Sequence, residues 1–326
     1  MIEIQNLVKR YGSNLAVDNI SFAVNDGEIV GFLGPNGAGK STTMNILTGY
    51  LSATDGRCLI GGVDILERPI EAKKKIGYLP ELPPVYPEMT VREYLGFVYD
   101  LKKCTLNKKK HIDEICDVVG ITHVQHRLIG NLSKGYRQRV GFAQALVGNP
   151  EVLIFDEPTV GLDPVQIVEI RNLIKSLGKK HTVILSTHIL SEVQAVCDRI
   201  VVINKGKLVA NATAAELERL SGVASKSRLT ISGNAENVIT ALCGVQGVSG
   251  VEKLSEEHSQ ADCNTYIVTS DNSEETRKKI FFTLASREMP ILSFEPCASG
   301  IEDIFISLVT NNSENKNSDG KGDDKQ

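Results

Sequence analysis

Residues Gly34-Pro35-Asn36-Gly37-Ala38-Gly39-Lys40-Ser41-Thr42 fit the pattern G-x-x-x-x-G-K-[ST], a spacing that lets backbone amides wrap a phosphate chain. The glycines allow the backbone to approach anionic oxygens with no Cβ in the way. Lys40 is expected to reach the β- and γ-phosphates of a nucleoside triphosphate, and the Ser41 hydroxyl to ligate Mg²⁺. Two further clusters carry chemistry. Glu151-Val152-Leu153-Ile154-Phe155-Asp156-Glu157 is an apolar run closing in two carboxylates, and residues 181–188 form a similar run closing in His188. Adjacent carboxylates at a strand end are costly unless a cation or a proton occupies them. Taken singly, that pair also fits a solvated turn, and the histidine a satisfied structural residue.

The elements needed to position these groups are readable around them. Residues 28–33 form a buried strand leading into the phosphate loop. Residues 41–51, with Met44, Ile46, Leu47, Tyr50 and Leu51 apolar, form a helix leading out, its N-terminal dipole aimed at the phosphates. Upstream, 2–11 alternates as a half-exposed strand and 17–24 gives another. Residues 57–60 read as a hairpin strand, and 76–81 as a short strand ending at the Pro-rich loop 82–87. From 90 to 148 the pattern is helical, opened by a capping box of Thr90 and Glu93. The lysines at 102, 103 and 108–110 make this region basic, as a solvated helix face or as a contact with acidic lipid headgroups. The acidic and histidine-ended runs read as central parallel strands with a helix at 165–177 between them. A hairpin at 199–210 and a helix at 214–220 close this part.

The bulk numbers bound the class. A chain of 326 residues has room for two domains, and 41% hydrophobic with 23% charged residues describes an ordinary globular protein. The net charge of −4 argues against a nucleic-acid binder, which needs a basic face. Seven cysteines, none in a C-x-x-C pair, suit free thiols in a reducing cytoplasm better than a disulfide framework. No apolar run approaches the length of a membrane span.

Composition changes at 221–225. The expected organisation is a nucleotide-binding unit at 1–220, a linker at 221–227, an accessory domain at 228–310 and a disordered tail at 311–326. The accessory segment reads as strand 228–232, helix 235–243, strand 248–254, strand 263–269, helix 273–287 and strand 290–295. That is the βαββαβ order of a ferredoxin-like unit. A helix at 301–309 follows it, and the tail has no apolar side chain.

Leu132-Ser133-Lys134-Gly135-Tyr136-Arg137-Gln138-Arg139 precedes a helix, so its amides and hydroxyl make an anion site or an ordinary helix cap. Together with the phosphate loop and the acidic strand end twenty residues on, it makes residues 1 to about 220 resemble the nucleotide-binding subunit of an ABC transporter. The stretch is similar to the family's L-S-G-G-Q signature and departs from it at Lys134 and Tyr136. Ser133 and Gly135, which the resemblance assigns to γ-phosphate contact, are kept.

The resemblance implies an α/β fold: a P-loop NTPase ABC cassette with a mixed β-sheet core and a helical subdomain, plus the small α+β ferredoxin-like C-terminal domain. It implies ATP and Mg²⁺ as cofactors. Lys40, Glu157 and His188 become the catalytic residues, with Glu157 polarising the attacking water and His188 sensing the γ-phosphate. Asp156 would hold Mg²⁺ through water, beside Ser41. Asp163, after Pro158-Thr159-Val160-Gly161-Leu162, would sit at a subunit interface. Tyr11 matches the aromatic that stacks on adenine, with a strand-end core tyrosine as the lesser alternative. Glu81 stands where the family usually has Gln; a carboxylate can still ligate the metal, with altered affinity. This substitution resembles exporter ATPases that partner type-two permeases. Residues 82–89 would then lie near the membrane partner, unless the prolines only stiffen a loop.

One loop and one signature per chain imply a head-to-tail pair of copies that sandwiches two ATP molecules. The further partners implied are integral-membrane permease subunits, with no nucleic acid. The implied location is cytoplasmic, peripheral on the inner face of the cell membrane. The C-terminal segment, including Gly300-Ile301-Glu302-Asp303-Ile304-Phe305, resembles an extension of some exporter ATPases. An importer ATPase with a regulatory C-terminal domain is the alternative. A soluble ABC ATPase acting on ribosomes or DNA fits less well with one intact cassette and no basic stripe.

Overall fold

The computed structural model describes residues 1–220, 225–254, 263–271 and 273–296. The chain divides into two compact units, Met1–Ala214 and Ala215–Gln326, a boundary slightly ahead of the expected one. The expected helix at 301–309, the motif at 300–305 and the tail lie outside the described residues. Part of the expected linker is strand, because β-pairing in the second unit begins at Ser225.

In the first unit the strands are β1 (Ile2–Tyr11), β2 (Asn14–Val24), β3 (Ile29–Leu33), β4 (Asp55–Ile60), β5 (Val63–Asp64), β6 (Ile76–Leu79), β7 (Val152–Asp156), β8 (Thr182–Thr187), β9 (Arg199–Asn204) and β10 (Lys207–Ala212). The helices are α1 (Lys40–Leu47), α2 (Pro69–Lys74), α3 (Val91–Leu101), α4 (Lys108–Val118), α5 (Lys134–Leu146), α6 (Pro164–Gly178) and α7 (Leu190–Val196), and α8 (Ala214–Leu220) starts at the boundary and runs into the second unit. A central sheet runs in the order β10-β9-β3-β8-β7-β6, parallel throughout except for the β9–β10 hairpin. A second, antiparallel sheet has the order β2-β1-β4-β5.

The central strands β3, β7 and β8 are buried along their whole length, as expected of parallel strands covered on both faces. Side chains alternate between the two faces. Leu153, Phe155, Val183 and Leu185 join the core under α3 to α6, with Leu95, Phe142 and Ile174. Val152, Ile154, Ile184 and Val201 join the core shared with the antiparallel sheet, with Ile2, Leu7 and Ile60. The parallel register matters for chemistry. Leu33 pairs with Thr187 and Asp156 with Ser186, so β3, β7 and β8 end at one edge. In open α/β sheets ligands bind outside the carboxyl ends of the strands.

The helical segment starts as the local code requires. The Thr90 hydroxyl accepts from the Glu93 amide, and the Glu93 carboxylate accepts the Thr90 amide at 2.8 Å, a complete capping box. Of the basic residues, Lys108, Lys109 and Lys110 are exposed, but Lys102 is not part of a solvated face. Its Nζ donates to the Val147 carbonyl at 2.8 Å, and burial brings its pKa down to about 8. No helix among the described residues is long and apolar enough to cross a membrane.

The second unit contains β11 (Ser225–Ser232), α9 (Ala235–Cys243), β12 (Val248–Leu254), β13 (Cys263–Ser270), α10 (Glu274–Ala285) and β14 (Ile291–Pro296). Its antiparallel sheet has the order β12-β13-β11-β14, with a core of Leu229, Ile231, Val238, Leu242, Tyr266, Val268, Ile280 and Leu284. This βαββαβ chain with its second helix between β13 and β14 is the ferredoxin-like arrangement.

Candidate functional site

The loop after β3 opens a cleft of about 830 Å³. Tyr11, Asn36, Gly37, Gly39, Lys40, Ser41, Thr42, Glu81, Glu157 and His188 all line it, groups drawn from five separate stretches of sequence. Gly34, Pro35 and Ala38 do not line it; the carbonyls of Gly34 and Pro35 face Lys40 instead. Gly39, the residue before α1, has φ +108°, and a Cβ there would lie 2.6 Å from the Ala16 carbonyl, so only glycine fits. The β9–β10 hairpin props the loop from outside: the Gly206 amide donates to the Ala38 carbonyl at 2.9 Å.

Lys40 is 5% exposed, and its ammonium has three acceptors. It donates to the Gly34 carbonyl at 2.8 Å and the Pro35 carbonyl at 3.3 Å, and it pairs with Glu157 Oε1 at 3.5 Å. The other oxygen of Glu157 lies 2.9 Å from His188 Nδ1. A carboxylate this buried is tolerable because it has a cation and a ring nitrogen against it. Glu157 also has φ +48°, in the left-handed region, which costs about 1–3 kcal/mol for a residue with a side chain. Its amide donates to the Ser186 carbonyl at 3.0 Å, which helps hold that turn.

Asp156 points into the same cluster. The Ser186 hydroxyl donates to Asp156 Oδ1, and Ser41 adds a second side-chain hydrogen bond. Burial pushes the Asp156 carboxyl above its ordinary range. Neighbouring Glu157 adds to the rise, while the two serine bonds and Lys40 oppose it. A raised acid at the end of a buried strand favours the arrival of positive charge.

Ser133, Gly135 and Asp163 are not in this cleft. Gly135 and Asp163 line a separate cavity of about 650 Å³ with Gly120, Tyr136, Arg139 and Gln166. Ser133 caps α5, its hydroxyl accepting from the Tyr136 amide at 3.4 Å; Asp163 caps α6, accepting from the Gln166 amide at 2.9 Å. Both caps leave the first turn of their helix with its remaining amides outward.

Several cleft residues were not foreseen. Ala16 and Val160 form parts of the wall, and Lys205, in the β9–β10 turn, adds a cation at the rim. Ser186 had a legible signal, a hydroxyl at the end of an otherwise apolar strand. Lys205 had none beyond its place in a turn.

The sequence pattern of the ABC transporter family matches residues 17–160. The bacitracin transport ATP-binding protein BcrA of Bacillus licheniformis is 42% identical over 211 residues, covering 64% of this chain and 68% of that protein. The linearmycin resistance ATP-binding protein LnrL of Bacillus subtilis is 32% identical over 311 residues, covering 95% of this chain and 98% of that protein. Among solved structures, a dimeric post-hydrolysis state of the ATP-binding cassette MJ0796 bound to ADP and phosphate superposes with TM-score 0.59 at 25% identity. That match covers 65% of this chain and 98% of the cassette. The chain belongs to the ATP-binding subunits of ABC transporters and is an ATP hydrolase of that family.

Proposed function

We infer that this subunit powers export through a separate membrane permease, working as a head-to-tail pair of copies that closes on two ATP molecules. The observation that carries the paired reading is the separation of two half-sites within one chain. The phosphate loop, Glu157 and His188 share one cleft, while Gly135 and Asp163 line another. A γ-phosphate in the first cleft can meet a signature helix only if a second copy presents it.

The roles follow from the chemistry at each atom. The loop amides and Lys40 hold the β- and γ-phosphates, with Tyr11 as the adenine platform. Glu157, strained and desolvated, orients and polarises the attacking water. His188, bonded to Glu157 by Nδ1, reports on the γ-phosphate with its other ring nitrogen. The donor set of Ser41, Asp156 and Glu81 is all oxygen. It suits Mg²⁺, which takes one or two carboxylates plus phosphate oxygens in place of a protein cage. There the ion would neutralise charge developing between the β- and γ-phosphates. Asp163 and Ser133 serve the partner's nucleotide.

Export is supported by the names of the relatives, one a transport protein for bacitracin and one a linearmycin resistance protein. Glu81 in place of the usual Gln agrees with that direction. The unit beyond residue 214 is read as an accessory domain that stabilises the pair or contacts the permease. The pair is tested with Glu157→Gln. In Mg²⁺-free ATP this variant should run as a dimer by light scattering, and with Mg²⁺ added it should hydrolyse ATP about 10²–10⁴-fold more slowly than the parent chain. A variant that stays monomeric at millimolar ATP refutes the shared site.

A further inference from the structure

Glu192 is 2% exposed and plays no part in the roles above. It sits on α7, which lies close against β3 because residue 31 is glycine. A Cβ at Gly31 would be 2.4 Å from a Val193 methyl. Both carboxylate oxygens of Glu192 are used. Oε1 accepts from the Thr159 hydroxyl at 2.6 Å, and Oε2 accepts from the Thr187 hydroxyl at 3.0 Å. Neither threonine is open to solvent. Thr187 Oγ1 in turn accepts the Ile189 amide at 3.1 Å, so that hydroxyl has both a donor and an acceptor satisfied.

A carboxylate desolvated to this degree is expensive, and the partners of Glu192 among the described residues are neutral hydroxyls. Two charge-assisted hydroxyl bonds offset the cost, and such bonds are short and directional. What they join is informative. Thr187 directly precedes His188. Thr159 lies two residues after Glu157, four before Asp163 and next to Val160 of the cleft wall. One buried side chain therefore ties the turn that carries the polarising carboxylate to the turn that carries the histidine.

We propose that Glu192 is a positioning residue that holds the Glu157 turn and the His188 turn in register, so that water activation and the Asp163 cap move together. It acts through Thr159 and Thr187 and touches neither nucleotide nor water. This rests on the ATPase roles proposed above. When the pair closes, a displacement of the Thr159–Asp163 segment is passed to His188 through the two hydroxyl bonds. Without them the turns stay joined only by the Glu157–His188 contact and the Glu157 amide bond to Ser186, neither of which reaches the Thr159–Asp163 segment.

The test uses the full chain with Thr159→Val, Glu192→Gln, Glu192→Ala and the Thr159→Val/Glu192→Ala double variant. Phosphate release gives kcat and KM, nucleotide titration gives ATP affinity, and thermal unfolding gives Tm. Thr159→Val should lower kcat about 10-fold and Glu192→Ala about 100-fold, as misplacement by an ångström does. ATP affinity and KM should stay near those of the parent. Glu192→Gln, which keeps one acceptor oxygen, should fall between the parent and Glu192→Ala. In the Glu192→Ala background, Thr159→Val should cost nothing further. Parent-level kcat in Thr159→Val, or losses that multiply in the double variant, overturns the proposal. If Glu192→Ala does not fold, Thr159→Val decides alone, because it deletes one hydroxyl at nearly constant volume. A parent chain without ATPase activity refutes the proposed site itself. An active parent beside an unaffected Thr159→Val refutes only the positioning role.

Discussion

Replacing Lys40 with methionine keeps the length and apolar volume of the buried stem and deletes the ammonium. In the nucleotide-free chain that ammonium is already satisfied by Gly34 O, Pro35 O and Glu157 Oε1. Binding ATP exchanges the two carbonyl partners for phosphate oxygens, with the longer Glu157 contact at 3.5 Å kept. Two hydrogen bonds from a cation to phosphate are worth about 1.5–3 kcal/mol each, and the two carbonyl bonds given up about 0.5–1.5 each. The net is about 2–3 kcal/mol, so ATP affinity should fall roughly 30- to 150-fold. AMP, which lacks the β- and γ-phosphates, should lose little. Equilibrium titration with ATP, ADP and AMP in the absence of Mg²⁺ measures the three values directly. Fold loss is controlled by the Tm. Pro35 O keeps the Ala38 amide at 3.1 Å, but Glu157 keeps only His188, so a drop of a few degrees is expected. ATP affinity within twofold of the parent, in a folded variant, would refute the assignment of Lys40 to the phosphates. An equal loss for all three nucleotides would instead mean that the cleft had collapsed.

Two more outcomes follow from charges inside the first unit. Asp156 has its pKa raised by burial, so its charged form costs folding energy; that penalty is absent below the ordinary carboxylate range and grows as pH rises through the raised value. Asp156→Asn should therefore raise the Tm of the nucleotide-free protein at pH 7 by ~2–4 °C per kcal/mol recovered, while abolishing hydrolysis; a lower Tm with hydrolysis intact would reverse the reading. Glu28 shows the opposite sign. Burial works against its carboxylate, but the Arg199 guanidinium, bonded at 2.6 and 2.9 Å, and the Asn25 amide outweigh it and hold the pKa below 4.5. Its contribution is full above that value and is lost as pH falls through the depressed one. Glu28→Gln should cost about 1.5–3 kcal/mol at pH 7 and progressively less toward pH 3, read from denaturant midpoints across pH. A cost that does not change with pH would refute it.

Much of the site could be read in advance because its rules are local. The glycine pattern of 34–42, the strand before it and the helix after it are set by residues adjacent in sequence. So is the capping box at Thr90 and Glu93, where three residues of separation place a side chain on a specific amide. The ends of β7 and β8 were marked by apolar runs stopping at Asp156 and His188. Lys102 was misread as solvated because its sequence neighbours are lysines. Its acceptor, the Val147 carbonyl, lies 45 residues away. Glu192 carried no signal at all. On a short helix it reads as one more charged residue, and only the packing of α7 over Gly31 buries it between two hydroxyls.

By itself, then, the amino-acid order determined that this chain has the glycine and lysine spacing of a phosphate loop at 34–42, carries carboxylates and a histidine at strand ends, and resembles one family of ATPases. These are properties of short windows, in which spacing alone sets what a backbone or a side chain can reach. Tertiary structure decided which of those windows share a cleft and which do not. The parallel register of β3, β7 and β8 brings Lys40, Asp156, Glu157 and His188 within a few ångströms of one another. The same fold leaves Gly135 and Asp163 in another cavity. The physical reason is that register and burial belong to pairs of segments far apart in sequence, and their energies exist only once both partners are in place.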